Sequence, residues 1–220
     1  MNILPLPTRR DEAFRYSDVD ALTSVWPVAS ERIVVAADEI LNREIINMAD
    51  PQDVVVRNLE IILEAGAKAN IRLLNAGGRL GRISLDVTCY AESDFYLGAV
   101  QLGSGKQTVE IITTVRHVEP NATSQQVIRT ILSGGATGSY LGKVEVARGA
   151  DGTDSAQDVK AMLLDRQSAA NAVPQLEIFA DDVKCAHGAT VGELDAGALF
   201  YLMARGIAPA DAKKLMLQAF

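Results

Sequence analysis

The chain has 220 residues, of which 48% are hydrophobic and 5% aromatic, and its 28 acidic and 21 basic residues give a formal net charge of −7. This acidic balance argues against nucleic acid or an anionic membrane surface as the main partner, because both require a basic face. No apolar run is long enough to span a bilayer, the first ten residues lack the charge order of a secretory leader, and two cysteines are no disulfide framework. We therefore expect a cytoplasmic protein with reduced thiols.

Residues 1–30 are predicted to form a lead-in with a short helix. Thr8 is a suitable N-cap for a helix over the following residues, and Asp11, three positions on, is a suitable reciprocal partner. Trp26–Pro27 closes the segment, because proline disfavours a helical conformation in the residue before it.

Residues 31–192 are predicted to form a β-domain. Apolar residues alternate with polar ones, as at Leu59, Ile61 and Leu63, which is typical of strands with one buried face. Several segments share one outline without a fixed interval: an alternating strand, a corner of small and polar residues, and another short strand. Stacked coils leave such a loose repeat, and a β-sandwich is the competing architecture. The scarcity of hairpin dipeptides and the small residues at the corners favour stacked coils.

Residues 193–220 change to a helical pattern. Asp195 precedes an apolar run that ends at Arg205 and Gly206, and Pro209 suits the first position of a second helix. The second helix has one apolar stripe, formed by Ala212, Leu215, Met216, Ala219 and Phe220. Either the end of the β-domain or another protein is expected to cover this stripe.

Cys185 and His187 are the candidate ligand pair in a chain with two cysteines and two histidines. Residues two apart in a strand face the same side, so the thiol and the imidazole are expected to converge. Both are ligand types that iron and iron–sulfur clusters accept. The residues alone also allow a purely structural interpretation: a corner of the β-domain with a buried cysteine and a histidine that is hydrogen-bonded to a backbone carbonyl. Cys89 is expected in a buried strand, and His117 on a surface loop beside a neighbouring charge.

Three segments of the sequence resemble the SufB/SufD family, in particular its SufD branch. Residues 174–207, which include PQLEIFADDVKCAHGATVGELD and end in ARGI, resemble the family's C-terminal signature. Residues 116–157, RHVEPNATSQQVIRTILSGGATGSYLGKVEVARGADGTDSAQ, resemble the stretch that precedes the signature. Residues 6–19, LPTRRDEAFRYSDV, are similar to the segment before the family's β-domain. The resemblance covers nearly the whole chain and is densest from residue 116 to the end.

The resemblance implies a right-handed parallel β-helix with a C-terminal helical segment. It also implies a scaffold subunit of iron–sulfur cluster assembly, without turnover of its own, that pairs with SufB and binds the ATPase SufC. The family has a functionally important histidine at the position of His187. Cys185 and His187 thus become candidate ligands of iron or of a cluster that is held transiently and shared with SufB. The expected SufC contacts lie in the C-terminal helices: Leu199, Leu202, Arg205, Leu215, Met216 and Phe220.

The resemblance also sets expectations for length and self-association. Members of the family usually carry a helical region before the β-domain and continue past the final Ala-Phe, so we expect a short form with an unfinished last helix. Because SufD-like chains self-pair through the surface meant for SufB, a homodimer is expected in isolation.

Two other functions remain open. A carbohydrate-active β-helix enzyme would need a carboxylate pair, for which Glu177 with Asp181 or Asp182 is the candidate, but it also predicts aromatic platforms and the chain has one tryptophan. A passive homo-oligomeric module would bind no metal. The phosphate-loop motif G-x-x-x-x-G-K-[ST] is absent from the sequence, and Gly-Ser-Gly-Lys at residues 103–106 is interpreted as a turn. ATP hydrolysis is therefore expected from SufC, not from this chain.

Overall fold

The computed structural model describes residues 5–220, so residues 1–4 of the predicted lead-in lie outside the described residues. A 3-10 helix (Glu12–Phe14) and the short helix α1 (Val19–Leu22) come first. Twelve strands follow in this part of the chain: β1 (Ser30–Val35), β2 (Ile40–Asn47), β3 (Val54–Leu63), β4 (Lys68–Asn75), β5 (Leu80–Cys89), β6 (Asp94–Ser104), β7 (Thr108–His117), β8 (Thr123–Ser133), β9 (Thr137–Val146), β10 (Asp154–Leu163), β11 (Ala169–Ile178) and β12 (Lys184–Glu193). The helices α2 (Ala196–Ala204) and α3 (Pro209–Gln218) complete it.

The strands alternate between two parallel sheets. Sheet 1 has the order β1-β3-β5-β7-β9-β11, and sheet 2 has the order β12-β10-β8-β6-β4-β2. Each odd strand and the even strand after it form one coil, and the next coil stacks on it in parallel register. The described residues thus form a solenoid of about six turns, followed by two short helices. The predicted parallel β-helix with a C-terminal helical segment is confirmed, and a sandwich of antiparallel strands is excluded.

One corner of the solenoid is a stack of residues in the left-handed backbone region. It occurs between the two strands of successive coils, with φ from 59° to 74° at Asp38, Gly66, Glu92, Asn121 and Gly152. The backbone N–H of each donates to a carbonyl of the following coil, at 2.7–3.1 Å. Glycine, aspartate and asparagine adopt this conformation at the lowest cost, which explains the small and polar residues at these corners.

The core consists of ladders of inward side chains, one residue from each coil. Ile61, Val87, Val115 and Val144 are in register across sheet 1, and all are fully buried. Burial of each such side chain contributes about 1.5–3 kcal/mol relative to exposure. The alternation seen in the sequence is therefore the inner and outer face of each strand, and the core is continuous along the solenoid.

The lead-in packs on the outer face of sheet 1. Asp11 accepts hydrogen bonds from the backbone N–H and the hydroxyl of Thr8, at 2.7 and 3.2 Å, but the structure that follows is a single 3-10 turn. Leu22 of α1 is fully buried in a small cluster with Leu80 of β5. Phe14 stacks under the guanidinium of Arg82, 4.0 Å from its ring centre.

The two C-terminal helices follow β12. The Asp195 carboxylate caps α2 by accepting from the N–H groups of Gly197 and Ala198, and Pro209 is the first residue of α3. At the end of α3 the carbonyl of Phe220 accepts from Arg129 Nε at 3.2 Å, which ties the helix end to β8 in sheet 2. Among the described residues, no helix has the length and apolarity needed to cross a membrane.

Candidate functional site

Cys185 and His187 lie on β12, the last strand of sheet 2. Their register partners on β10 are Ser155 and Gln157, which are both buried on the inner face of the sheet. Because alternate residues of a strand share one face, the thiol and the imidazole both belong to the inner face of the last coil. Within residues 5–220, β12 has a strand neighbour on one side only, so these inward positions are open to solvent at the end of the solenoid.

The two candidate ligands differ in environment. Cys185 is half-buried, packs against the hydrophobic core and has a free thiol. Burial, reinforced by the Asp154 carboxylate, raises the pKa of this thiol, and the backbone N–H of Ser155 opposes the shift. A bound cation or a basic partner group is therefore needed to stabilise the thiolate. His187 is exposed, so its ring is accessible to a partner.

The pair does not form a complete metal site by itself. Within residues 5–220, the structure contains no group of three or more Cys, His, Asp and Glu side chains arranged to hold an ion. Iron in protein sites and iron–sulfur clusters takes more than two protein ligands. A partner chain, or the bound group itself, would have to supply the other ligands.

A polar ladder stands behind Cys185 inside the solenoid. Ser124 of β8, Ser155 of β10 and Cys185 of β12 are in register on the inner face of sheet 2. The Oγ atoms of Ser124 and Ser155 are 2.8 Å apart, and Ser124 Oγ is 2.9 Å from His117 Nε2. The hydrogen-bonded chain thus runs from His117 through the core to the residue next to Cys185.

His117 corrects an expectation from the sequence. The prediction of a surface-loop histidine is wrong, because His117 is the last residue of β7 and is fully buried. Burial lowers the pKa of its imidazole to about 4. Its register partner on β5 is Cys89, which is buried as predicted and whose thiol pKa burial raises to about 12. Both cysteines and both histidines of the chain therefore belong to the inner faces of the solenoid.

A second polar ladder stands behind His187. Gln126 of β8, Gln157 of β10 and His187 of β12 are in register, and the two glutamines are fully or almost fully buried. Tyr140 of β9 joins the glutamines from sheet 1: its hydroxyl donates to Gln126 Oε1 at 3.1 Å and accepts from Gln157 Nε2 at 3.0 Å. Thr113 Oγ1 lies 3.1 Å from the same hydroxyl, and burial raises the pKa of Tyr140.

Sequence reasoning missed these two ladders although the sequence carries a signal for them. Ser-x-Gln occurs at residues 124–126 and again at 155–157, and Cys-x-His follows at 185–187. Register pairing shows that these are the same positions of three successive coils. The intervals of 31 and 30 residues differ slightly, so a search for a strict repeat does not find them.

The predicted docking residues have mixed exposure. Leu199, Leu202, Met216 and Phe220 are half-buried, whereas Arg205 and Leu215 are exposed. The most exposed aromatic side chains of α2 were not predicted: Phe200 is 72% exposed and Tyr201 is 56% exposed. The Arg205 guanidinium lies over the Tyr201 ring, 4.9 Å from its centre. The helix pair therefore presents aromatic surface beyond the residues named from the sequence.

Of the carboxylates considered for carbohydrate chemistry, Glu177 is engaged in an ion pair, and Asp181 and Asp182 lie exposed at a corner. Glu177 lies on β11 and its Oε2 is 2.8 Å from Lys143 Nζ, in an ion-pair row on the outer face of sheet 1. The backbone carbonyl of Asp182 accepts from Gly152 N–H at the corner of the last coil, at 2.7 Å. This arrangement gives no support to an acid pair in a cleft.

Comparisons with known proteins identify the family to which the chain belongs. Residues 24–220 match the family model described as SUF system FeS cluster assembly, SufBD core domain. Over 160 residues (70% of the chain) the chain is 32% identical to the iron–sulfur cluster assembly SufBD family protein slr0076 of Synechocystis. It is 31% identical over 162 residues (73% of the chain) to the iron–sulfur cluster assembly protein SufD of Escherichia coli, and 31% identical over 161 residues (71% of the chain) to the chloroplastic protein ABCI7 of Arabidopsis thaliana. These alignments cover 35%, 38% and 34% of the three relatives, so the chain spans a little over a third of their length.

Proposed function

Because the chain belongs to the SufBD family of SUF-system iron–sulfur cluster assembly proteins, we propose that it is a SufD-like scaffold subunit. In this role it pairs with SufB through the end of the β-helix, binds the ATPase SufC through its C-terminal helices, and acts in the cytoplasm. The observation that carries the proposal is the pair Cys185 and His187 on the inner face of an unpaired edge strand. The iron or cluster is cargo, held transiently between the two partners.

The edge of β12 is suited to pairing with another strand. Along one edge, its backbone N–H and C=O groups have no strand neighbour among the described residues, and such edges are the usual sites of strand addition. A partner strand there would stand beside the open inner face that contains Cys185 and His187. The partner would then contribute the missing ligands and exclude water from the cargo. A second copy of the chain would occupy the same edge when SufB is absent.

The chemistry of the pair matches transient binding. The forms of these side chains that bind iron are the thiolate and the neutral imidazole. Because burial raises the pKa of the Cys185 thiol, free thiolate is scarce until the cation arrives. The incomplete donor set keeps affinity low in the isolated chain, as a scaffold that hands its cargo on requires.

We propose that ATP hydrolysis belongs to SufC. A phosphate loop needs a strand, a glycine-rich turn and a helix whose N-terminus faces the phosphates. Gly105 and Lys106 stand instead in a tight turn between the strands β6 and β7. The purified chain should show background ATPase activity only. Activity that survives repurification of the chain would contradict the scaffold role.

The test of the ligand assignment is the iron content of the complex co-expressed with SufB and SufC. His187→Ala should abolish cluster absorbance while the three subunits still co-elute, and Cys185→Ala should have a smaller effect. Thr190→Ala is the matched control, because Thr190 lies on the opposite face of β12. Normal iron content in the His187 variant would show that Cys185 and His187 are a structural corner only.

A further inference from the structure

Gln157 is a buried side chain directly behind His187 in the ladder, and one of its two polar atoms is unused. It is 2% exposed and is the register partner of His187. Its Nε2 donates to the Tyr140 hydroxyl at 3.0 Å. Its Oε1 is buried and has no hydrogen-bond partner among the described residues. Buried acceptors of this kind are rare in native structures, so an unused one calls for an explanation.

Tyr140 determines which atom of the Gln157 amide is free. The Tyr140 hydroxyl donates its single proton to Gln126 Oε1, so it can only accept from Gln157. Gln157 must therefore direct Nε2 toward Tyr140, and Oε1 remains as an oriented acceptor. The tyrosine is 1% exposed and is a rigid support for this orientation.

Two donors stand beside this acceptor in the ladder. Gln126 Nε2, on the preceding coil, is also buried without a partner among the described residues, and His187 follows on the next coil. The Tyr140 hydroxyl holds both glutamines, at 3.1 and 3.0 Å, and the two amides are not hydrogen-bonded to each other, so His187 is the donor on the open side of the ladder. The two side chains are not hydrogen-bonded in the structure, but neighbouring strands are about 4.8 Å apart, a spacing at which side chains in register on one face can contact each other. Histidine ligands of metals commonly donate their second ring N–H to an oxygen acceptor of this type.

We propose that Gln157 is a positioning residue for His187: its Oε1 accepts the N–H of one ring nitrogen, and the other ring nitrogen keeps its lone pair for iron. The inference rests on the proposed ligand role of His187 and adds the group that selects its tautomer and ring orientation. Tyr140 acts one step further back, because it fixes the Gln157 amide. The ladder thus connects buried side chains of β9 and β10 to the candidate ligand on β12.

The test measures the tautomer of His187 in the isolated chain without metal. Long-range proton–nitrogen spectra of the ¹⁵N-labelled protein, recorded where imidazoles are neutral, resolve the ring nitrogens of the two histidines, and His187→Ala assigns them. One tautomer of His187 should dominate in the parent chain. Gln157→Leu should populate both tautomers. Gln101→Leu is the matched control, because Gln101 is also fully buried with an unused Oε1 but lies in another ladder.

Two further measurements keep the inference testable. If Gln157→Leu does not fold, Tyr140→Phe is the second variant, because it keeps the ring but removes the hydroxyl that orients the Gln157 amide. This variant should also populate both tautomers of His187. In the complex with SufB and SufC, Gln157→Leu should weaken iron retention by about 10–100-fold, as outer-shell substitutions do. Equal populations of the two His187 tautomers in the parent chain, or an unchanged ratio in Gln157→Leu, would overturn the inference whether or not His187 binds iron. Normal iron content in His187→Ala would instead overturn the proposed ligand role and leave the tautomer result standing.

Discussion

Arg82 and Glu110 form an ion pair on the outer face of sheet 1 that is almost completely buried: Nη1 and Oε2 are 2.6 Å apart, and the side chains are 3% and 2% exposed. The lead-in supplies the cover. Ser17 Oγ donates to Glu110 Oε2 at 3.0 Å, and Arg82 Nη2 donates to the carbonyl of Ala13 at 2.8 Å. The lead-in is therefore joined to the solenoid by paired and hydrogen-bonded charges as well as by apolar contact.

Removal of one member of this pair should destabilise the fold strongly. Arg82→Leu leaves the Glu110 carboxylate buried without its counter-charge, which typically costs about 3–5 kcal/mol. The free energy of unfolding in urea measures the effect. Arg79→Ala is the control, because Arg79 pairs with Asp18 at 2.9 Å on the exposed surface, where such pairs contribute about 0–1 kcal/mol. Equal losses in the two variants would contradict the role of the buried pair.

The stability of the chain should depend on pH through His117. Burial lowers the pKa of the folded-state imidazole to about 4, so the unfolded chain, with a pKa of about 6.5, binds a proton first as the pH falls. The stability that neutral His117 contributes is complete above about pH 6.5 and is lost as the pH falls toward 4, by on the order of 3 kcal/mol.

Urea unfolding of the parent chain and of His117→Gln at several pH values tests this dependence. Glutamine retains a polar group opposite Ser124 but does not titrate. The parent should lose more stability than the variant between about pH 6.5 and 4.5. Parallel pH profiles for the two proteins would show that His117 does not titrate as its burial implies.

Close packing between coils should make Gly77 intolerant of a side chain. A Cβ at this position would overlap the backbone N and O atoms of Ala49 on the neighbouring coil, and neither atom can move without breaking the stack. Gly77→Ala should therefore cost about 1–3 kcal/mol, as overpacking does. Gly188→Ala is the control, since a Cβ there has no atom within 4 Å, and it should stay within about 0.5 kcal/mol of the parent. An unchanged free energy of unfolding in Gly77→Ala would mean that the two coils are less tightly packed at this corner than in the structure.

The C-terminal helices should carry the proposed contact with SufC. Phe200 and Leu215 are 72% and 48% exposed, so aspartate at either position places a charge on the surface without disturbing a buried core. Each variant should weaken SufC binding at least about tenfold in calorimetry, because apolar anchors dominate such interfaces. Gln218→Asp adds the same charge at an exposed polar position of α3 and should bind normally. Unchanged affinity in both apolar variants would place the contact elsewhere.

The sequence by itself determined the fold class and where the two C-terminal helices begin. Alternation with a period of two, as at Leu59, Ile61 and Leu63, marks a strand wherever the chain lies in the sheet, because it depends only on backbone geometry. Asp195 before α2 and Pro209 at the start of α3 act through hydrogen bonds or dihedral preferences within one turn. The resemblance to the SufB/SufD family likewise required no coordinates.

Only the tertiary structure decided which residues become neighbours across coils. Register partners are 26 to 32 residues apart, and this interval varies because the corners differ in length, so the sequence does not specify that Gln157 stands behind His187. His117 shows the same limit: its neighbours Arg116 and Glu119 suggest a surface, yet its own position alternates inward and the next coil covers it. In stacked coils, burial depends on which coil lies above and below, and that contact is non-local in the chain.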